Sequence, residues 1–143
     1  MVEGSGSGYW SIVKRVMTNK IQSYNDLDVY QRAYRLSVVV CSKIVIKLPT
    51  EEKFDLVDQL RRSSKAIPRL IAEGFGKKHQ KKGFQKYLDD ASAEVNETVV
   101  SLCHIRDIYH SYVNQESVRR MIREYEIIGK QIYKLKQSWD KFC

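Results

Sequence analysis

Residues 48–78 read LPTEEKFDLVDQLRRSSKAIPRLIAEGFGKK, and the choice of fold rests on this stretch. Pro49 closes the element before it. Thr50 is the expected cap of a helix over residues 51–73, with Glu51 and Glu52 placed well against its positive end. Phe54, Val57, Leu60, Ser64, Ile67 and Ile71 recur at three- and four-residue steps and form the predicted inner face. A second row, Leu56, Ser63 and Leu70, repeats every seven residues beside it. Two adjacent apolar rows offer more surface than one neighbour covers, so either a subunit contact or a broad core face is expected. Pro68 lacks an N–H and crowds the carbonyl of Ser64, which predicts a kink. Gly74 and Gly76 are expected to end the helix.

Working toward the N-terminus, Asp26 is the predicted cap of a helix over residues 27–48, with Val29, Ala33, Leu36, Val40, Ile44 and Leu48 in one stripe. The β-branched Val38, Val39, Val40, Ile44, Val45 and Ile46 oppose that reading locally, and the length of the stripe outweighs them. Toward the C-terminus, GFGKKHQKKG (residues 74–83) is a basic connection into a third helix from residue 81 or 82 to 110. Phe84, Leu88, Ala91, Val95, Thr98, Leu102, Ile105 and Tyr109 share its register. Asn114 caps a fourth, striped by Val118, Ile122, Tyr125, Ile128, Ile132, Leu135 and Trp139. Four long helices with short connections make an all-α, antiparallel up-down-up-down bundle over residues 17–143. Residues 1–8, MVEGSGSG, have the chemistry of a start methionine and a flexible linker. Residues 1–16 are therefore read as an appended tag or linker, the alternative being a native short helix at 9–17 packed on the bundle.

The composition agrees with one domain. The chain has 143 residues, 43% hydrophobic and 29% charged, which excludes an intrinsically disordered chain. Seven glycines and two prolines are too few for a loop-rich sandwich or barrel. No apolar run approaches a membrane span, and no signal peptide is recognisable, so no membrane partner is expected. Cys41, Cys103 and Cys143 cannot form a complete disulfide set, which suits a reducing, cytoplasmic setting. Their spacing matches no zinc site, and neither metal nor cofactor is expected.

Charge is the sharpest functional signal. Twenty-five bases against 17 acids give a net +8. Residues 61–86 alone hold nine bases and one acid, Glu73, so this segment carries the whole excess. Arg61, Lys65 and Arg69 are spaced to line one side of the second helix, Arg62 is adjacent, and Lys77, Lys78, Lys81 and Lys82 follow in the connection. Such a cluster suits a phosphate backbone, the alternative being a solvated face that keeps the protein soluble. Phe75 is the one aromatic residue of the connection, so no base-stacking platform is expected. Catalytic readings are weak. G74-F75-G76-K77 lacks the spacing and preceding strand of a Walker loop, and Glu73 has no partner for acid–base work. Glu73 is expected to cap, or to pair with an arginine of the second helix. Asp89, Asp90, Glu94 and Glu97 lack the Glu-x-x-His pairs of a di-metal bundle and read as an acidic face opposite a basic one.

LPxEE, QLRR, IP and IAEGFG at these spacings, with YNDLDVYQRAYRL at residues 24–36, resemble the bacterial four-helix-bundle proteins encoded within intervening sequences of 23S ribosomal RNA genes. The resemblance covers residues 20–109, with a weaker helical tail. Arg61, Arg62, Ile67, Pro68, Ile71, Ala72, Glu73, Gly74 and Gly76 match the motif, and Lys77 stands where the family often has another base. The resemblance implies a bundle assembled as a homopentamer, a basic ring of about +40, with no assigned enzyme activity. A related branch serves as accessory proteins of diversity-generating retroelements, binding a reverse transcriptase and nucleic acid. Two positions depart from the family pattern. Its common Ser-Ile-Pro-Ser-Asn-Ile is here Ala66-Ile67-Pro68-Arg69-Leu70-Ile71, and its Gly-Ser pair in the third helix is Ala93-Glu94, which predicts looser packing there.

The expected function is non-catalytic binding of RNA or DNA, with Arg61, Arg62, Lys65, Arg69, Lys77, Lys78, Lys81 and Lys82 on phosphates. In that scheme Leu56, Ser63 and Leu70 form the oligomer contact. Some arginines are alternatively bound in intersubunit salt bridges to Glu73, Asp89 or Asp90. The rival function is a protein-interaction scaffold for an acidic partner, such as an accessory subunit of a reverse transcriptase.

Overall fold

A computed structural model describes residues 21–142; the appended segment expected at 1–16 lies outside the described residues. Four long helices, α1 (Asp28–Val39), α2 (Leu56–Gly76), α3 (Gly83–Ile108) and α4 (Gln115–Phe142), carry the fold, and no strand occurs among the described residues. The connections at residues 77–82 and 109–114 are six residues each, a reach of about 20 Å when fully extended. Twenty-six residues of α3 span about 39 Å, so neither connection can return the chain to its starting end and the helices must alternate in direction. Each helix packs on the next, and α4 closes the ring against α1. The result is a four-helix bundle.

The stripe on α4 packs as its spacing predicts: all seven of its residues are buried, and Asn114 Oδ1 accepts the Ser117 amide at 2.9 Å. The α3 stripe is buried from Phe84 to Ile105. Its last member, Tyr109, is half-buried and donates its hydroxyl to the Glu52 carboxylate, a bond that pushes the phenol up to about 12.

Three helix ends differ from expectation. Asp26 does not cap α1. Its carboxylate accepts the Gln22 and Ser23 amides in a capping box that closes a short 3-10 turn, Tyr24–Asp26, ahead of the helix. The single helix expected to residue 48 is α-helical only to Val39, widens into a π turn over Val40–Ile44 and tightens into 3-10 geometry over Val45–Lys47. The β-branched run and Ser42, whose hydroxyl donates to the Val38 carbonyl at 2.6 Å, account for the change. Thr50 does not cap α2 either. It opens a 3-10 turn, and Glu52 Oε1 accepts the Leu56 amide at 3.2 Å instead. With the helix starting at Leu56, Phe54 falls outside the inner face and is 86% exposed.

The helix runs through Pro68 and ends at Gly76, as expected of that glycine, but Gly74 lies inside it and does not terminate it. A Cβ at Gly74 would lie 2.6 Å from Tyr87 Cβ and 3.0 Å from Phe84 Cδ1. The glycine therefore sets how closely α2 approaches α3. Gly74→Ala must push the helices apart, and a loss of about 1–3 kcal/mol is expected in urea unfolding. A midpoint equal to that of the parent would refute the close-approach role.

Leu56 and Ser63 are also relocated. Both are buried within the single chain, and Ser63 Oγ accepts a 2.9 Å hydrogen bond from Thr98 on α3. Leu70 is half-buried against the core. Two of the three residues of the second row thus belong to a broad core face of the single chain, and Leu70 alone keeps part of its surface open. Of the altered pair on α3, Ala93 is exposed and lies outside the helix packing, while Glu94 is half-buried and faces α2.

Candidate nucleic-acid interface

The eight bases expected on phosphates fall into two groups along the chain. Sixteen residues separate Arg61 from Lys77, about 24 Å along a helix. One group lies along α2, the other in the turn between α2 and α3.

On α2 much of the charge is already matched. Arg62 donates to Asp58 at 3.3 Å and Arg69 to Glu73 at 3.2 Å, which gives Glu73 the arginine partner expected of it. Arg62, Lys65 and Arg69 also share a concavity of about 330 Å³ with Glu94 and Glu97 of α3. Partial burial pushes the Glu94 carboxyl up, as does Glu97 beside it, while Arg69 and Arg62 pull it down. The acidic face of α3 therefore does meet a basic one, within the chain. Asp89 pairs elsewhere, with Lys136 of α4 at 2.6 Å. Arg61 is half-buried and Lys65 exposed.

The turn is different. Lys77, Lys81 and Lys82 are exposed, and none of the four turn lysines makes an ion pair with the described residues. The backbone winds tightly: the Gln80 amide donates to the Lys77 carbonyl at 3.0 Å, and the Gly83 amide to the Gln80 carbonyl at 2.9 Å. Lys82 takes a left-handed conformation at φ 58°. A Cβ at Gly83 would stand 2.4 Å from the Lys77 carbonyl oxygen, so only glycine fits there. This tight path sets three of the four lysines, Lys78, Lys81 and Lys82, around a concavity of about 520 Å³ that Trp139 also lines. Beneath it lie three rings, each from a different helix: Phe75, Phe84 and Trp139, with centroids 4.9–6.2 Å apart. The Lys78 ammonium sits 4.3 Å from the Phe75 centroid.

An aromatic surface exists after all, contributed by a region the charge pattern does not mark. Tyr24, Tyr30 and Tyr34 line a groove of about 530 Å³ between the start of the bundle and α2, whose opposite side includes Lys65, Pro68 and Arg69. Tyr30 stacks on Tyr34 at 6.1 Å and meets Tyr24 edge-on at 4.8 Å. Burial, and then its two tyrosine neighbours, push the Tyr30 phenol up. The sequence signal is the i, i+4 tyrosine pair beside the apolar stripe, and only the packing of α1 on α2 brings it to the bases.

Among the described residues, no cluster of three or more His, Cys, Asp and Glu is placed to hold a metal ion, and no helix is long and apolar enough to cross a membrane. Neither a curated protein nor a solved structure matches the chain. A family model does, over residues 25–134, from the turn before α1 through most of α4. That match covers well over half of the sequence: the chain belongs to the 23S rRNA-intervening sequence protein family.

Proposed function

We propose that the chain is a non-catalytic, cytoplasmic nucleic-acid-binding bundle that grips the phosphate backbone chiefly with the α2–α3 turn. The observation that carries this reading is the set of four lysines, Lys77, Lys78, Lys81 and Lys82, held by a constrained turn without carboxylate partners among the described residues. An exposed cluster of this kind keeps its full field for a polyanion, whereas the matched arginines of α2 contribute less. Arg61 and Lys65 extend the surface along α2. Unpaired Cys41 and Cys103 are consistent with a reducing compartment. A homopentameric assembly fits the exposed apolar side chains of α3 and α4, Val100, Ile127 and Tyr133, better than the largely buried second row of α2.

The test is a salt titration of the full chain against structured RNA and duplex DNA, with light scattering to read its mass. The log of affinity is expected to fall linearly with log salt, by about 0.9 per neutralised phosphate on duplex DNA, so a slope near −4 is expected from the turn alone. Absence of binding to either nucleic acid at low salt overturns the reading, and a monomer mass overturns the assembly.

A further inference from the structure

We infer that the tyrosine groove between α1 and α2 receives an unpaired base of a single-stranded nucleic acid, with Arg69 and Lys65 on the flanking phosphates. The inference rests on the nucleic-acid reading above and adds the strandedness of the ligand. The groove combines what such a ligand needs. Its volume, about 530 Å³, falls in the ~300–1,000 Å³ range of small-ligand sites. One side is aromatic and the opposite rim cationic, which places a π-face and a positive charge within the reach of one nucleotide. Tyr34 is 53% exposed, so its ring presents an open stacking surface, while its contact with Tyr30, itself braced by Tyr24, limits its freedom before any ligand arrives. The raised Tyr30 phenol stays protonated and is available as a hydrogen-bond donor.

Charge complementarity favours this occupant over an apolar one. Lys65 is exposed, with no ion pair among the described residues, and carries most of the attraction, while Arg69, matched to Glu73 through a solvent-exposed i, i+4 contact, adds a smaller share. Continuity with the turn points the same way. Eight residues of α2, about 12 Å, lead from Arg69 to Lys77, so one strand can lie along the end of α2 and touch both surfaces. In a duplex the bases are stacked inside and cannot enter.

The experiment compares the full chain with Tyr34→Ala, Tyr34→Phe and the quadruple variant K77E/K78E/K81E/K82E. The probes are a 20-nucleotide unstructured RNA and an RNA duplex of equal length, at fixed salt. Because Tyr34 is half exposed, Tyr34→Ala is expected to fold, which circular dichroism checks. It should lose about 10- to 100-fold in affinity for the single strand. Duplex affinity should stay within twofold, and Tyr34→Phe should retain single-strand binding. If Tyr34→Ala binds the single strand as the parent does while the quadruple variant loses both ligands, the groove inference is wrong and the proposed function stands. If the parent binds neither probe, both fail. A changed mass of free Tyr34→Ala with unchanged RNA binding makes the groove a contact between copies of the chain and also overturns the inference.

Discussion

Reversing Lys77, Lys78, Lys81 and Lys82 to glutamate is expected to weaken binding to duplex DNA by about three orders of magnitude at 0.15 M salt and to flatten the salt slope by about 3.6. The estimate follows from four phosphate contacts at about 0.9 each, carried from 1 M reference salt to 0.15 M. The fold should survive. Lys77, Lys81 and Lys82 are exposed, and Lys78 gives up only its place over Phe75, a cation–π pair at the edge of solvent worth about 0.5–1 kcal/mol. The reversal brings the net charge from +8 to zero, and the eased repulsion across the whole molecule offsets part of that. Thermal unfolding and light-scattering mass are therefore expected to stay near those of the parent. Arg62→Glu provides the contrast. Arg62 already faces Asp58 and lies beside Glu94, so its loss should cost far less affinity than any turn lysine. A quadruple variant that binds within threefold of the parent, or an Arg62→Glu variant that loses as much, would refute the division of the basic segment into a matched group and a free one.

Legibility in the sequence follows the physics of each element. On α4 every stripe residue is buried and the cap is where the sequence places it, because one amphipathic period runs uninterrupted from that cap. On α1 the apolar stripe is readable, but not the π turn at Val40–Ile44, since periodicity cannot report a helix that widens by one residue while keeping its face inward. Phe54 fits the stripe of α2 by spacing alone, yet the 3-10 turn at Thr50–Glu52 delays the helix and leaves that ring in solvent. Gly74 reads locally as punctuation, but its role depends on Tyr87 and Phe84 across an interface, which no local pattern encodes. The candidate site divides in the same way. The turn lysines are visible as a charge run. The i, i+4 pairs Arg62–Asp58 and Arg69–Glu73 are local to α2, and the sequence already predicts an arginine partner for Glu73. The approach of Glu94 and Glu97 from α3 and the arrival of three tyrosines beside Lys65 are products of tertiary packing.

That packing also decides how firmly the turn is held, and Phe84→Ala reads it. Phe84 is fully buried, and its ring lies 4.9 Å from Trp139 and 5.8 Å from Phe75. The three rings bring together the end of α2, the start of α3 and the end of α4, directly below the lysines. Truncating the central ring removes a large transfer term and both aromatic contacts, and leaves a cavity between helices that Gly74 already holds at close range. A loss of about 3–5 kcal/mol is expected. At the ~1–3 kcal/mol per molar dependence usual for urea, that moves the midpoint down by roughly 1–5 M. Phe54→Ala, which deletes an equal side chain from solvent, should move it hardly at all. Hydrogen exchange should quicken at Gln80 and Gly83, whose amides close the turn, because the aromatic cluster is what the turn rests on. Nucleic-acid affinity should then fall although every lysine is intact, since ammonium groups on a loosened turn must be ordered on binding. Unchanged exchange at Gln80 and Gly83 in a destabilised Phe84→Ala protein would show that the turn is held by its own backbone bonds and Gly83, with the aromatic cluster serving only the core.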